Sequence, residues 1–149
     1  AVWEHQGDIL KFMGDAMLVV FRVSSEVSLA QAAERAASAA VDAQHRLGRL
    51  SERRLERGEQ PLRTGIAVHL GKVIYGNIGA ATRLDFTVMG HAVNLVARIQ
   101  ELTRDLDEGV LFSGSVAAHL EHPVVSLSTY EFKGIGEPVE IYKLGSEKT

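Results

Sequence analysis

Apolar positions along this 149-residue chain follow two rhythms, and the rhythm changes at a few small or turn-forming residues. Ile9 to Met13 and Ala16 to Phe21 are short apolar runs flanking Gly14-Asp15, the residue types that a tight hairpin turn needs for positive φ. Alternation in the first run puts Ile9, Lys11 and Met13 on one face and Leu10 and Phe12 on the other. The second run is nearly continuous, which predicts a buried strand. After a break at Ser24-Ser25 the period lengthens. Leu29, Ala33, Ala36, Ala40, Ala43, Leu47 and Leu50 recur at steps of four and three in an Ala-rich stretch, which predicts one long helix packed on a sheet. The run from Arg53 to Glu59 reads as its solvated end, closed by Gly58 and Pro61.

The second half is more broken. Residues 62–71 and 72–76 read as a pair of strands meeting around Gly71, with a loop starting at Asn77-Ile-Gly79. Thr87 and Val88 read as a strand end and Gly90 as the break. From His91 the spacing is helical, with Val93, Val96 and Ala97 on one side. Residues 109–112 form a short strand, and Ser113-Gly-Ser115 a cap for a short helix. Val124 to Phe132 and Val139 to Leu144 are closing strands around Lys133-Gly-Ile-Gly136. There is no internal repeat, linker or low-complexity tract, so residues 1–149 read as one domain.

Composition narrows the class. With 46% hydrophobic and 23% charged residues and a net charge of −3, the chain fits a globular α+β domain large enough to bury a core. The absence of Cys removes disulfides and thiolate chemistry. No apolar run approaches the length of a membrane span, and no signal peptide opens the chain. A cytoplasmic setting is the expectation. The opening residues Ala-Val-Trp-Glu-His-Gln-Gly carry no initiator Met and run straight into a strand, as expected of a chain that begins inside a larger protein.

One segment concentrates candidate chemistry. Asn94 and Arg98 lie four residues apart on the helix that starts at His91, so they stack on one face. An amide can orient a hydroxyl, and a guanidinium can hold a phosphoryl oxygen. Taken alone, the same residues also describe a helix-start amide and a solvated charge. The six histidines have no metal-ligand spacing beyond a loose His119/His122 pair. A ferredoxin-like RNA-binding domain would need exposed aromatics and a basic face, and 6% aromatic residues with an acidic balance argue against it.

Four blocks taken together resemble the class III nucleotidyl cyclase catalytic domain, the adenylyl/guanylyl cyclase family. They are residues 7–21, residues 69–79, Thr87 through Arg98, and residues 132–142. They occur in family order and cover almost the whole chain. The resemblance implies an α+β fold with a ferredoxin-like antiparallel sheet and packed helices. It implies that ATP is cyclised to 3′,5′-cyclic AMP and pyrophosphate by in-line attack of the 3′-hydroxyl on the α-phosphorus, with two divalent ions, Mg2+ or Mn2+.

Role by role, the resemblance implies that Asp15 binds metal and that Lys11 and Thr87 read the purine edge. A guanylyl cyclase is expected to be acidic at the Lys11 position, which makes adenine the better match. Asn94 matches the residue that positions the ribose, and Arg98 the one that stabilises charge on the α-phosphate. Arg63, Lys72 and Lys133 are further cations that could meet the outer phosphates, but Ile135 stands where some members have a phosphate lysine. Because the chain carries both halves of the site, the resemblance implies a head-to-tail homodimer, with regulatory or sensor domains in the full-length protein. The family's first strand, with its second metal aspartate, and the helices after it are absent before Trp3. The expectation is therefore that this fragment is itself inactive, and that a degenerate nucleotide-binding or dimerisation module is the alternative.

Overall fold

The computed structural model describes residues 1–80 and 83–145, with the side chains of residues 75–89 outside that description. Strands β1 (Asp8–Met13) and β2 (Ala16–Val20) form an antiparallel hairpin. Gly14 supplies the turn's positive φ of 61°, the left-handed conformation that glycine adopts at no steric cost. Ile9 pairs with Val19 but Lys11 pairs with Leu18, so Leu10 is the extra residue of a bulge. The strict alternation expected through Ile9, Lys11 and Met13 therefore stops at Leu10. The burial expected for β2 is also absent: none of its residues is buried, and Met17 is 45% exposed. Among the described residues β1 and β2 pair only with each other, so no other described strand covers the edges of the apolar run.

Helix α1 (Leu29–Glu56) starts at a complete capping box, with Ser28 Oγ accepting from the Gln31 amide and Gln31 Oε1 from the Ser28 amide. These bonds satisfy two of the amides that every helix start leaves without an intrahelical partner. It ends as expected near Gly58, whose φ is 75°. Its buried residues are Ala32, Ala33, Ala37, Ala39 and Ala40. The apolar stripe does not extend to Leu29 and Leu50, which are 41% and 43% exposed. At 1.5 Å per residue the helix is roughly 42 Å long, so its ends overhang the short strands beneath it.

The central sheet has the order β3-β6-β8-β7. Strand β3 (Ile66–Val68) runs parallel to β6 (Val110–Ser113), and β8 (Val139–Leu144) is antiparallel to both β6 and β7 (Val124–Tyr130). The hairpin expected around Gly71 does not form. Instead β4 (Ile74–Ala80) pairs antiparallel with β5 (Arg83–Met89) in a ribbon of its own, and the loop expected at Asn77-Ile-Gly79 lies inside β4. β3 and β7 are the edge strands of this sheet, and β3 makes its ladder to β6.

Every residue of β6 is buried, and the reason is a helix on each face. Val110 and Phe112 pack with Ala33, Ala37 and Ala40 of α1, together with Val116. Leu111 packs with Ile141 and with Leu95 and Ile99 of α2 (His91–Asp105). Successive strand side chains point to opposite faces, so β6 serves two cores at once. The short helix α3 (Gly114–Ala117) follows β6, with Ser113 at its start. No helix among the described residues is long and apolar enough to cross a membrane.

Candidate active site

Helix α2 begins at a sharp break. Gly90 has φ 145°, and a Cβ there would lie 3.0 Å from the Lys72 carbonyl oxygen, so both backbone and space select glycine. Among the described residues no side chain caps this helix start; the Val93 amide bonds the Gly90 carbonyl, and the positive end of the helix dipole lies at the first turn. The buried face of α2 is Leu95, Ile99 and Thr103, at steps of four. It is not the Val93, Val96 and Ala97 side expected from sequence, and Ala97 is exposed. Leu111 and Ile141 select the Leu95/Ile99 face because they sit beneath it.

Asn94 and Arg98 are exposed, each one position before a residue of the buried Leu95/Ile99 face. The only polar contact of the Arg98 guanidinium among the described residues is Nη1 to Glu101 Oε2 at 3.4 Å, one helical turn away. An exposed pair of this kind holds a side chain weakly, so the guanidinium is available to a ligand. Lys11 and Asp15 are exposed on β1 and at the hairpin turn. Thr87 lies on β5 opposite Gly76, and its side chain is outside the described residues. Asn94 and Arg98 thus stand together. No hydrogen bond or ion pair among the described residues joins either of them to Lys11 or Asp15.

The further cations are spread out. Arg63 is exposed and lies 3.8 Å from Asp107, while Lys72 and Lys133 are exposed on separate loops. A divalent ion prefers several oxygen ligands. Among the described residues, no three His, Asp or Glu side chains gather where they could hold one. Asp8 lies at the far end of β1 from the turn and pairs with Arg22 at 3.4 Å. Asp15 therefore offers one carboxylate, and these side chains alone do not fit a two-ion centre.

Three polar clusters were not legible in the sequence. His69 Nδ1 lies 2.7 Å from Ser113 Oγ and 3.2 Å from Ser115 Oγ. Glu34 of α1 accepts hydrogen bonds from the Glu121 and His122 amides and lies 2.5 Å from His122 Nδ1. Gln44 Nε2 donates to the carbonyls of Thr64 and Gly109 at 2.7 and 2.9 Å, tying α1 to the starts of β3 and β6. Each cluster joins residues tens of positions apart, where local spacing carries no signal.

Residues 2–145 match the family described as the adenylate and guanylate cyclase catalytic domain. The chain belongs to this family. The cyclase domain is 30% identical to adenylate cyclase 1 of Rhizobium meliloti (strain 1021), over 94% of this chain and 21% of that protein. It is 32% identical to an adenylate cyclase of Anabaena cylindrica, over 97% of this chain and 29% of that protein. It thus spans less than a third of either relative. Among solved structures, the adenylyl cyclase CyaB from P. aeruginosa superposes with a TM-score of 0.84 at 26% identity, covering 99% of this chain and 76% of that one. The guanylyl cyclase Cya2 superposes with a TM-score of 0.78 at 32% identity, covering 96% and 72%. Cyclase domains of this family generally depend on divalent metal ions, bind nucleotide and work as dimers.

Proposed function

We propose that this domain is the catalytic domain of an adenylate cyclase, converting ATP to 3′,5′-cyclic AMP and pyrophosphate at sites shared between two copies of the chain. The observation that carries the reading is the pairing of exposed Asn94 and Arg98 on α2, directly after the Gly90 break, in a chain of cyclase family. The Lys11 ammonium donates to a ring nitrogen of adenine, with Thr87 as its partner at the base edge. Asn94 orients the ribose so that its 3′-hydroxyl oxygen meets the α-phosphorus in line. As that bond forms, the bond to pyrophosphate breaks, the electron pair leaves with pyrophosphate, and the hydroxyl proton passes to solvent water. Arg98 holds the phosphoryl oxygens, and its attraction grows as charge develops on them.

A head-to-tail homodimer is supported by the presence in one chain of both halves of the site, the metal carboxylate Asp15 for one site and Lys11, Asn94 and Arg98 for the other. Phe12, Met13 and Met17, exposed by 70%, 42% and 45%, place apolar surface beside Asp15, as a two-fold interface needs. Divalent ions, Mg2+ or Mn2+, neutralise charge on the triphosphate when bound. Asp15 offers one carboxylate to them.

That single carboxylate favours a second reading, a nucleotide-binding or dimerisation module without catalysis. Conversion of ATP and GTP by this chain, and by a version extended with the family's first strand, separates the two. The cyclase reading expects negligible turnover by the 149-residue chain and ATP-selective turnover by the extended one. Arg98→Ala should lower that rate by roughly 10² to 10³-fold. Binding of ATP by both versions with product from neither would leave the non-catalytic module.

A further inference from the structure

The hydroxyls around His69 fix where its proton sits. Ser115 Oγ has one hydrogen, and it goes to the Leu70 carbonyl at 3.1 Å, because a carbonyl only accepts. Ser113 Oγ lies 2.9 Å from Ser115 Oγ, and His69 Nδ1 lies 2.7 Å from Ser113 and 3.2 Å from Ser115. With Nδ1 bare, the Ser113 hydrogen could serve either the ring or Ser115, and one short contact would hold two lone pairs and no proton. With Nδ1 protonated, three of the four contacts carry a hydrogen of their own, Nδ1–H to Ser113, Ser113 to Ser115 and Ser115 to Leu70, and the longer Nδ1–Ser115 approach shares the Nδ1 hydrogen. Ser113 is only 1% exposed, so an unmatched lone-pair contact there would be costly.

The ring fixed in this way stands against Gly71. A Cβ on Gly71 would lie 3.2 Å from His69 Nε2 and 2.5 Å from the Ala92 methyl. The chain of contact therefore runs from the β6–α3 corner through His69 to Gly71, and from there to the first turn of α2. Asn94 and Arg98 lie two and six residues beyond Ala92. We infer that His69 is a positioning residue, held as the Nδ1–H tautomer by the Ser113–Ser115–Leu70 relay, and that it sets the seat of α2 and so the placement of Asn94 and Arg98. The importance of that placement rests on the cyclase reading; the tautomer and the coupling to α2 do not. Burial, and to a lesser degree His91 nearby, hold the His69 pKa below its usual 6.5, which agrees with a neutral ring carrying its one proton at Nδ1.

The test is by NMR on the 149-residue chain, with nitrogen–proton correlations of the imidazole identifying the protonated nitrogen. The expected result is Nδ1–H for His69. His69→Phe, which keeps a ring but loses the donor, and Ser115→Ala at the exposed end of the relay should both move the backbone amide signals of residues 92–98. His69→Asn, whose side-chain amide can donate from the Nδ1 position, should restore them towards wild type. If His69→Phe does not fold, Ser115→Ala and His69→Asn still decide. In a version that turns ATP over, His69→Phe should lower kcat more than it raises KM, by on the order of tenfold to a hundredfold, with partial recovery in His69→Asn. An Nε2–H tautomer, or unmoved amide signals in folded His69→Phe and Ser115→Ala, would overturn the inference. Those spectra are read without turnover, so failure of the cyclase reading would be seen separately.

Discussion

Gly71→Ala is a clean perturbation of the seat of α2, because backbone preference plays no part in it. Gly71 does not lie in the positive-φ region; the constraint is space alone. The added methyl would sit 2.5 Å from the Ala92 Cβ, where carbon atoms normally settle about 3.5 to 4.0 Å apart. The obstacle is itself a Cβ, fixed to the backbone, so no rotamer change relieves it. Helix or loop must move by about 1 Å, and overpacking of this kind costs roughly 1 to 3 kcal/mol. For a chain of this length, 2 kcal/mol lowers Tm by roughly 4 to 8 °C. Thermal and urea melts of Gly71→Ala, Ala92→Gly and the double variant measure it. Ala92→Gly alone loses up to about 1 kcal/mol of helix propensity. In the double variant the collision with Ala92 is gone and only the 3.2 Å approach to His69 Nε2 remains, so the two changes should couple by roughly 1 to 2 kcal/mol in the stabilising direction. Simple additivity, or a neutral Gly71→Ala, would refute the claim that Gly71 and Ala92 are in contact.

Glu34→Ala removes three acceptor contacts that tie α1 to the link between α3 and β7, and should cost roughly 1 to 2 kcal/mol after allowance for partial exposure. Burial pushes the Glu34 pKa up, but the two amides and the His122 ring outweigh it, so the folded value lies below the usual 4.5. Its contribution is therefore present above about pH 4.5 and lost as pH falls through the lower folded value; denaturant melts should show the wild type converging on Glu34→Ala in that window. Ser28→Ala breaks the capping box and should destabilise the fold by about 1 kcal/mol, read as a lower urea midpoint at unchanged slope. Phe112→Ala empties the centre of the α1-side core, where Phe112 is fully buried, and should cost roughly 3 to 5 kcal/mol; a loss under 1 kcal/mol would contradict the two-core description of β6.

The elements legible in the sequence are those whose cause is local. Gly14-Asp15 makes the hairpin turn because its backbone demand is met within two residues. The break at Ser24-Ser25 before the Ala-rich run marks the approach to α1, and Gly90 before the periodic run starts α2. Asn94 and Arg98 share a helix face by spacing alone, so the juxtaposition of two of the five candidate site residues was legible without the fold. The partner of β3 was not. Residues 66–76 carry apolar runs on both sides of Gly71, which suits a hairpin, yet β3 bonds to β6 more than forty residues away. The buried face of α2 was misread for a related reason: periodicity offers several neighbouring stripes, and Leu111 and Ile141 decide which is covered. β2 has the composition of a buried strand but lacks the neighbour that would bury it. His69, Ser113 and Ser115 have no common pattern in the chain, because a hydrogen bond depends on atoms meeting in space. Sequence by itself determined the hairpin turn at Gly14-Asp15 and the start of α2 after Gly90, since those depend on a few adjacent residues. Tertiary structure alone decided strand partners, covered faces and the His69 relay, since each depends on which distant side chains the folded core brings into reach.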